Sequence, residues 1–156
     1  MCRVVLYQPE IPQNTGNVAR TCAATHTPLH LIEPLGFQLT DRYLRRAGLD
    51  YWPYVELHVH RTFSVFLEEI RPGRCVLFST RGTVNYWDFS FRPDDCLVFG
   101  PETRGLPLEL LEDERYPVVK IPLDKSRVRS LNLSTSVGIG LYEALRQLRL
   151  APFDGC

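Results

Sequence analysis

Hydrophobic positions in this chain gather into short continuous runs, and few of them alternate with polar ones. Residues 3–7 (R-V-V-L-Y), 29–32, 55–59, 75–79, 96–99 and 118–121 are β-branched or apolar and end at proline, glycine or polar clusters, which predicts six strands. Between them the period changes. Phe63, Phe66, Leu67 and Ile70 share one face of a predicted helix over 62–70. Leu133, Val137, Leu141, Leu145 and Leu148 recur at spacings of three and four, predicting a final helix over about 132–148. Asn14-Thr15-Gly16-Asn17 offers capping side chains before a helix over 18–24. Thr40 or Asp41 can cap a short basic helix through Arg46 that Gly48 ends, and 108–111 is a further short helix.

Strands that alternate with helices and are apolar throughout belong in a parallel sheet with both faces covered. One α/β domain is expected, and its unusual sequences follow strand ends, where open α/β sheets bind ligands. Those sequences are 8–20, 80–82, 100–105 and 122–132.

Composition narrows the function classes. The chain has 156 residues, 44% hydrophobic and 23% charged, which suits a soluble domain that needs no disulfide scaffold. The 18 basic and 18 acidic residues balance, against a general nucleic-acid coat protein but not against a local basic patch. Five cysteines without a C-x-x-C pair argue against a metal site or disulfide framework, and Cys75 and Cys96 read as small core hydrophobes. No apolar stretch approaches the roughly 20 residues that cross a bilayer. A reduced, cytoplasmic protein without metal or membrane attachment is expected.

Familiar motifs fail. Gly100 and Gly105 have phosphate-loop spacing, but Leu106 and Pro107 stand where Lys and Ser/Thr belong. Gly138-Ile-Gly140 lies within a helix and lacks a third glycine. His58 and His60 can share a strand face, where a solvated face is the expected reading.

Three constellations remain. Asn14 through Arg20 joins amides to a cation one turn into a helix, and an ordinary capping loop would look similar. In G-P-E-T-R-G, Gly100 and Gly105 bracket Glu102 and Arg104; glycine admits a flat ligand, while Glu102 can accept from a ligand or orient a neighbouring loop. Residues 121–132 form a long polar connection in which Ser130 and Asn132 are also plausible caps. Arg127 and Arg129 there, with Arg42, Arg45 and Arg46 elsewhere, can position phosphates if the two clusters converge, and are otherwise a solvated face. Gly138 and Gly140 each cost close to 1 kcal/mol in a helix, which predicts close approach of another backbone, within the chain or across a dimer.

In this order, L-Y-Q-P-E-I-P-Q-N-T-G-N-V-A-R, L-R-R-A-G-L-D-Y, F-G-P-E-T-R-G-L-P and S-L-N-L-S resemble the SPOUT (trefoil-knotted) RNA methyltransferases. Within them the chain is most similar to the small branch that methylates the wobble ribose of tRNA, the TrmL or YibK type. The resemblance implies a C-terminal trefoil knot, which sequence reasoning alone would reject. It implies S-adenosylmethionine as cofactor, bound against 78–80, 100–102 and 121–131, hence Phe78, Thr80, Gly100, Glu102, Ile121, Ser130 and Leu131. Asn132 would brace the site, and Arg20 would act on the 2′-hydroxyl, as base or as stabiliser of developing charge. Asn14, Arg20, Arg45, Arg46, Arg127, Arg129 and Tyr142 would face the tRNA anticodon stem-loop. A homodimer would supply the RNA surface, with Arg20 and the pocket from different subunits. Gln8, Gln13 and the basic 125–129 loop depart from the family pattern.

Overall fold

The computed structural model describes residues 1–40, 42, 44 and 50–148. Seven parallel strands, β1 (Arg3–Tyr7), β2 (Leu29–Ile32), β3 (Leu57–His60), β4 (Arg74–Phe78), β5 (Val84–Asn85), β6 (Asp95–Phe99) and β7 (Val118–Lys120), form one sheet in the order β3-β2-β1-β6-β4-β7-β5. The helices are α1 (Pro12–Ala24), α2 (Phe63–Ile70), α3 (Leu108–Leu111) and α4 (Leu133–Leu148). The expected helix through Arg46 falls mostly outside the described residues.

Side-chain alternation sorts the strands' apolar residues into two cores. Val4, Leu6, Leu31, Val76, Leu97 and Val119 meet Val18, Cys22, Val137 and Leu141 of α1 and α4 on one face. Val5, Leu77, Cys96 and Val98 meet Phe63 and Phe66 of α2 on the other. Both faces of β1, β2 and β6 are covered, which is why these runs do not alternate.

Two expectations change. Helix α1 begins at Pro12, with proline in its first turn, so residues 14–17 lie inside it and cap nothing; Asn14, Thr15 and Gly16 are buried. The histidine face is solvated only at His58. His60 is buried, its Nδ1 is 2.7 Å from the Glu69 carboxylate and its Nε2 is 2.9 Å from His30 Nδ1. His58 stacks on His30, and His30 Nε2 is buried without a partner.

Burial first, then the neighbouring His58 and His60, push the His30 pKa down from 6.5 to about 3. The folded protein therefore favours neutral His30, and the stability this gives is complete above pH 6.5 and is lost as pH falls from there towards 3. Urea midpoints should drop between pH 6.5 and 5, with a slope approaching about 1.4 kcal/mol per pH unit. A flat profile across that window would contradict the assignment.

Candidate active site

The carboxyl ends of β4, β6 and β7 open into a cavity of about 520 Å³. Three chain segments wall it: 78–81 after β4, 99–106 after β6, and 121–133 between β7 and α4, and α1 adds Asn14. Phe78, Thr80, Gly100, Glu102, Ile121, Ser130, Leu131 and Asn132, each expected at the site from sequence, all line it, as does Arg129.

Glycine has different uses here from those expected. A Cβ on Gly100 would lie 2.4 Å from the Leu106 amide nitrogen, so the missing side chain makes room for the loop's own backbone as well as for the cavity that Gly100 lines. Gly105 closes that loop at φ +67°, donating its N–H to the Pro101 carbonyl at 3.0 Å. A Cβ on Gly140 would meet Phe78 ring atoms at 2.8 Å, an aromatic neighbour where a backbone was expected. Gly138 faces open space.

Gly140→Ala should therefore push the Phe78 ring, stacked on Phe99 at 4.5 Å, into the cavity. The expected cost is about 1–3 kcal/mol of stability. Binding in the cavity, measured by calorimetry, should weaken roughly tenfold for an equivalent 1.4 kcal/mol. Unaltered binding would contradict the packing.

A chain of hydrogen bonds ties the 99–106 and 121–133 walls to the start of α1. The Glu102 carboxylate accepts the N–H groups of Glu10 at 2.8 Å and Ile11 at 3.1 Å, and the Asn14 side-chain amide at 3.4 Å. Asn14 in turn accepts from the Asn132 amide at 3.0 Å, and Asn132 accepts from the Ser134 and Thr135 backbone at 2.9 and 3.4 Å. Glu10 reciprocates, its carboxylate accepting the Thr103 hydroxyl at 2.8 Å. Of the two roles open to Glu102, its oxygens perform the orienting one, satisfying amides that enter α1. Asn132 caps α4 and braces the site at once.

Other expected residues are dispersed. Arg20 is exposed on α1, outside the cavity lining, with its guanidinium 5.6 Å from the centre of the Tyr51 ring; Tyr51 donates to the Gly16 carbonyl at 2.7 Å. Arg127 pairs with Asp124 at 3.3 Å, away from the lining, and Tyr142 is half exposed on α4. Arg45 and Arg46 lie outside the described residues, so convergence of the two basic clusters is not described. Sequence reasoning missed Arg81 as a site residue, and gave Arg104 no more than a place in its loop. Both are exposed and line the cavity mouth with Arg129. Single arginines in loops carry no periodic signal; only the loops' position at strand ends could have found them.

Among the described residues no group of three or more His, Cys, Asp or Glu side chains could hold a metal ion. Nor, among the described residues, is any helix long and apolar enough to cross a membrane. Cys2, Cys22, Cys75 and Cys96 are free and buried, as the core reading of Cys75 and Cys96 expects.

The sequence model of the SpoU rRNA Methylase family matches residues 1–142. The chain belongs to this family. Among relatives of this SpoU methylase, the tRNA (cytidine(34)-2'-O)-methyltransferase of Burkholderia ambifaria is 50% identical over 160 residues, covering 99% of each chain. A solved structure reported as "Structural insights into the 2-OH methylation of C/U34 on tRNA" is 56% identical with a TM-score of 0.90, covering 96% of this chain and 97% of its own. An AdoMet-bound rRNA methyltransferase from Sinorhizobium meliloti is 26% identical with a TM-score of 0.83, covering 94% of this SpoU methylase and 56% of that chain.

Proposed function

We propose that the chain transfers a methyl group from S-adenosylmethionine to the ribose 2′-hydroxyl of the wobble nucleotide, cytidine or uridine at position 34, of tRNA. The observation that carries this reading is the braced cavity at the strand ends, in a chain about half of whose residues are shared, over nearly its full length, with relatives named for this reaction.

The cavity fits the methyl donor. Its volume lies within the usual range for small-molecule sites, Phe78, Ile121, Leu131 and Leu133 give it apolar walls, and Ser130 and the loop backbones add polar groups. The bound donor supplies an electrophilic methyl on a sulfonium. The chain's residues hold geometry: Glu102, Asn14 and Asn132 fix the loops, and such positioning is worth several kcal/mol. Arg129 and Arg81 at the mouth attract backbone phosphates. Arg20 holds a phosphate and stabilises the alkoxide as it develops; a guanidinium is effectively always protonated, so the proton leaves to water or phosphate.

Arg20 stands outside the cavity of its own chain, which supports a homodimer in which each subunit offers Arg20 to its partner's donor site. Exposed Tyr142 and the open space at Gly138 on α4 suit that contact surface, whereas Asn14, expected to face the RNA, is buried and spent on Glu102 and Asn132. The match to the SpoU family over residues 1–142 supports trefoil threading. A cytoplasmic location follows from the tRNA substrate.

Incubating the protein with labelled S-adenosylmethionine and bulk tRNA should label the RNA. Tight donor binding with no label in any RNA would replace this reading with a non-catalytic binding module.

A further inference from the structure

A second cleft, of about 240 Å³, adjoins the donor cavity and shares Thr103 and Arg104 with it. Its other walls are Gln8, Glu10 and the 34–36 turn. The donor reading leaves this space without a role.

The cleft is rigid. A Cβ on Gly36 would lie 2.7 Å from the Glu10 Cα, and the Gly36 N–H donates to the Pro9 carbonyl at 2.9 Å, so the 34–36 turn rests directly on the segment leading into α1. Thr103 ties Glu10 to the other wall through its hydroxyl. Pro34 and Leu35 add an apolar surface against which a flat ring can lie.

Its polar groups are specific. Gln8 stands at φ 49°, a left-handed conformation that is strained for a non-glycine residue and that glycine would relieve. A long side chain at such a position points to a use for that side chain. Its Oε1 accepts from Arg104 Nη2 at 2.7 Å. That bond fixes which way the amide faces, leaving the Nε2 hydrogens free to donate, and it leaves Arg104 with a neutral partner and unused donors. The cleft thus sets two donors side by side, beside the methyl donor site.

We infer that this cleft seats the base of the nucleotide to be methylated, with Arg104 donating to the pyrimidine O2 and Gln8 Nε2 donating to N3 of cytosine. The O2 acceptor is common to both pyrimidines. N3 is an acceptor in cytosine and an N–H donor in uracil, so the amide as held favours cytidine. The inference rests on the ribose-methylation reading and adds the source of base preference to it.

The test uses the full-length protein, labelled S-adenosylmethionine, and two anticodon stem-loops that differ only in cytidine or uridine at position 34. Gln8→Glu keeps the side chain's shape and its bond to Arg104, but turns the donor facing N3 into an acceptor. The ratio of kcat/KM for cytidine over uridine should fall at least tenfold, the scale of one good base-edge contact. Donor affinity should stay at the wild-type value, because Gln8 is outside the donor cavity. Arg104→Met should raise KM for both RNAs with a smaller change in kcat. Wild-type transfer with an unaltered cytidine-to-uridine ratio in Gln8→Glu would overturn the base subsite alone. No transfer by the wild type to either RNA would overturn the ribose-methylation reading beneath it.

Discussion

Arg20→Ala is expected to slow methyl transfer to tRNA roughly a hundred- to a thousandfold, the range found when one preorganised donor to a developing oxyanion is removed. Donor affinity should not change, since Arg20 is exposed on α1, rests over Tyr51 and lies outside the cavity. Single-turnover kinetics beside calorimetry would separate the two effects. Arg20→Lys keeps the charge without the planar fork, so it should recover only part of the rate. If Arg20 is presented across a dimer, mixing Arg20→Ala with a donor-site variant such as Gly140→Ala should restore some activity through heterodimers carrying one intact composite site. Transfer by Arg20→Ala at the wild-type rate would remove Arg20 from the chemistry.

Glu102→Ala should have the opposite signature. It strips the acceptor from the amides of Glu10 and Ile11 and from the Asn14 side chain, three donors at the entry to α1. Leaving a buried donor unpaired costs about 1–3 kcal/mol, so a loss near 3 kcal/mol in urea unfolding is expected for this partly buried set. Donor binding should go with it, because Asn14 loses its anchor and with it the hold on Asn132. Glu102→Gln retains one accepting oxygen and should fall between. Coupling confirms the chain if the Asn14→Ala and Asn132→Ala effects are far from additive. An unaltered midpoint and donor affinity in Glu102→Ala would show that the walls stand without this brace.

How much of this was legible in the sequence depends on what each residue's signal was. β1, β2, β4 and β6 are buried on both faces, so their apolar runs announced them. Two-residue β5 did not: Val84 is exposed, and the strand exists through pairing with β7, a partner distant in sequence that no local pattern encodes. The start of α1 was misjudged because Asn, Thr and Gly carry capping propensity, whereas Pro12 in the first turn was the better guide. His58 and His60 read as a solvated strand face, and only the cross-strand register of β2 with β3 stacks His30 against them.

At the site, the order of separated motifs carried the resemblance; two of them, at 100–105 and 121–132, wall one cavity, and of 14–20 only Asn14 reaches it. The orienting role of Glu102 was one of two open readings, and distance decided it. Gly100 lines the cavity as expected, and its missing side chain also makes room for the loop's own backbone at Leu106, which no local pattern announces. Gln8 and Arg104 stand 96 positions apart and meet only in the fold.

The most direct test of the central claim is to digest tRNA after reaction with S-adenosylmethionine and locate the added methyl by mass spectrometry. The account predicts a single 2′-O-methyl group on nucleotide 34. A methyl on a base, or on the ribose of any other nucleotide, would contradict it.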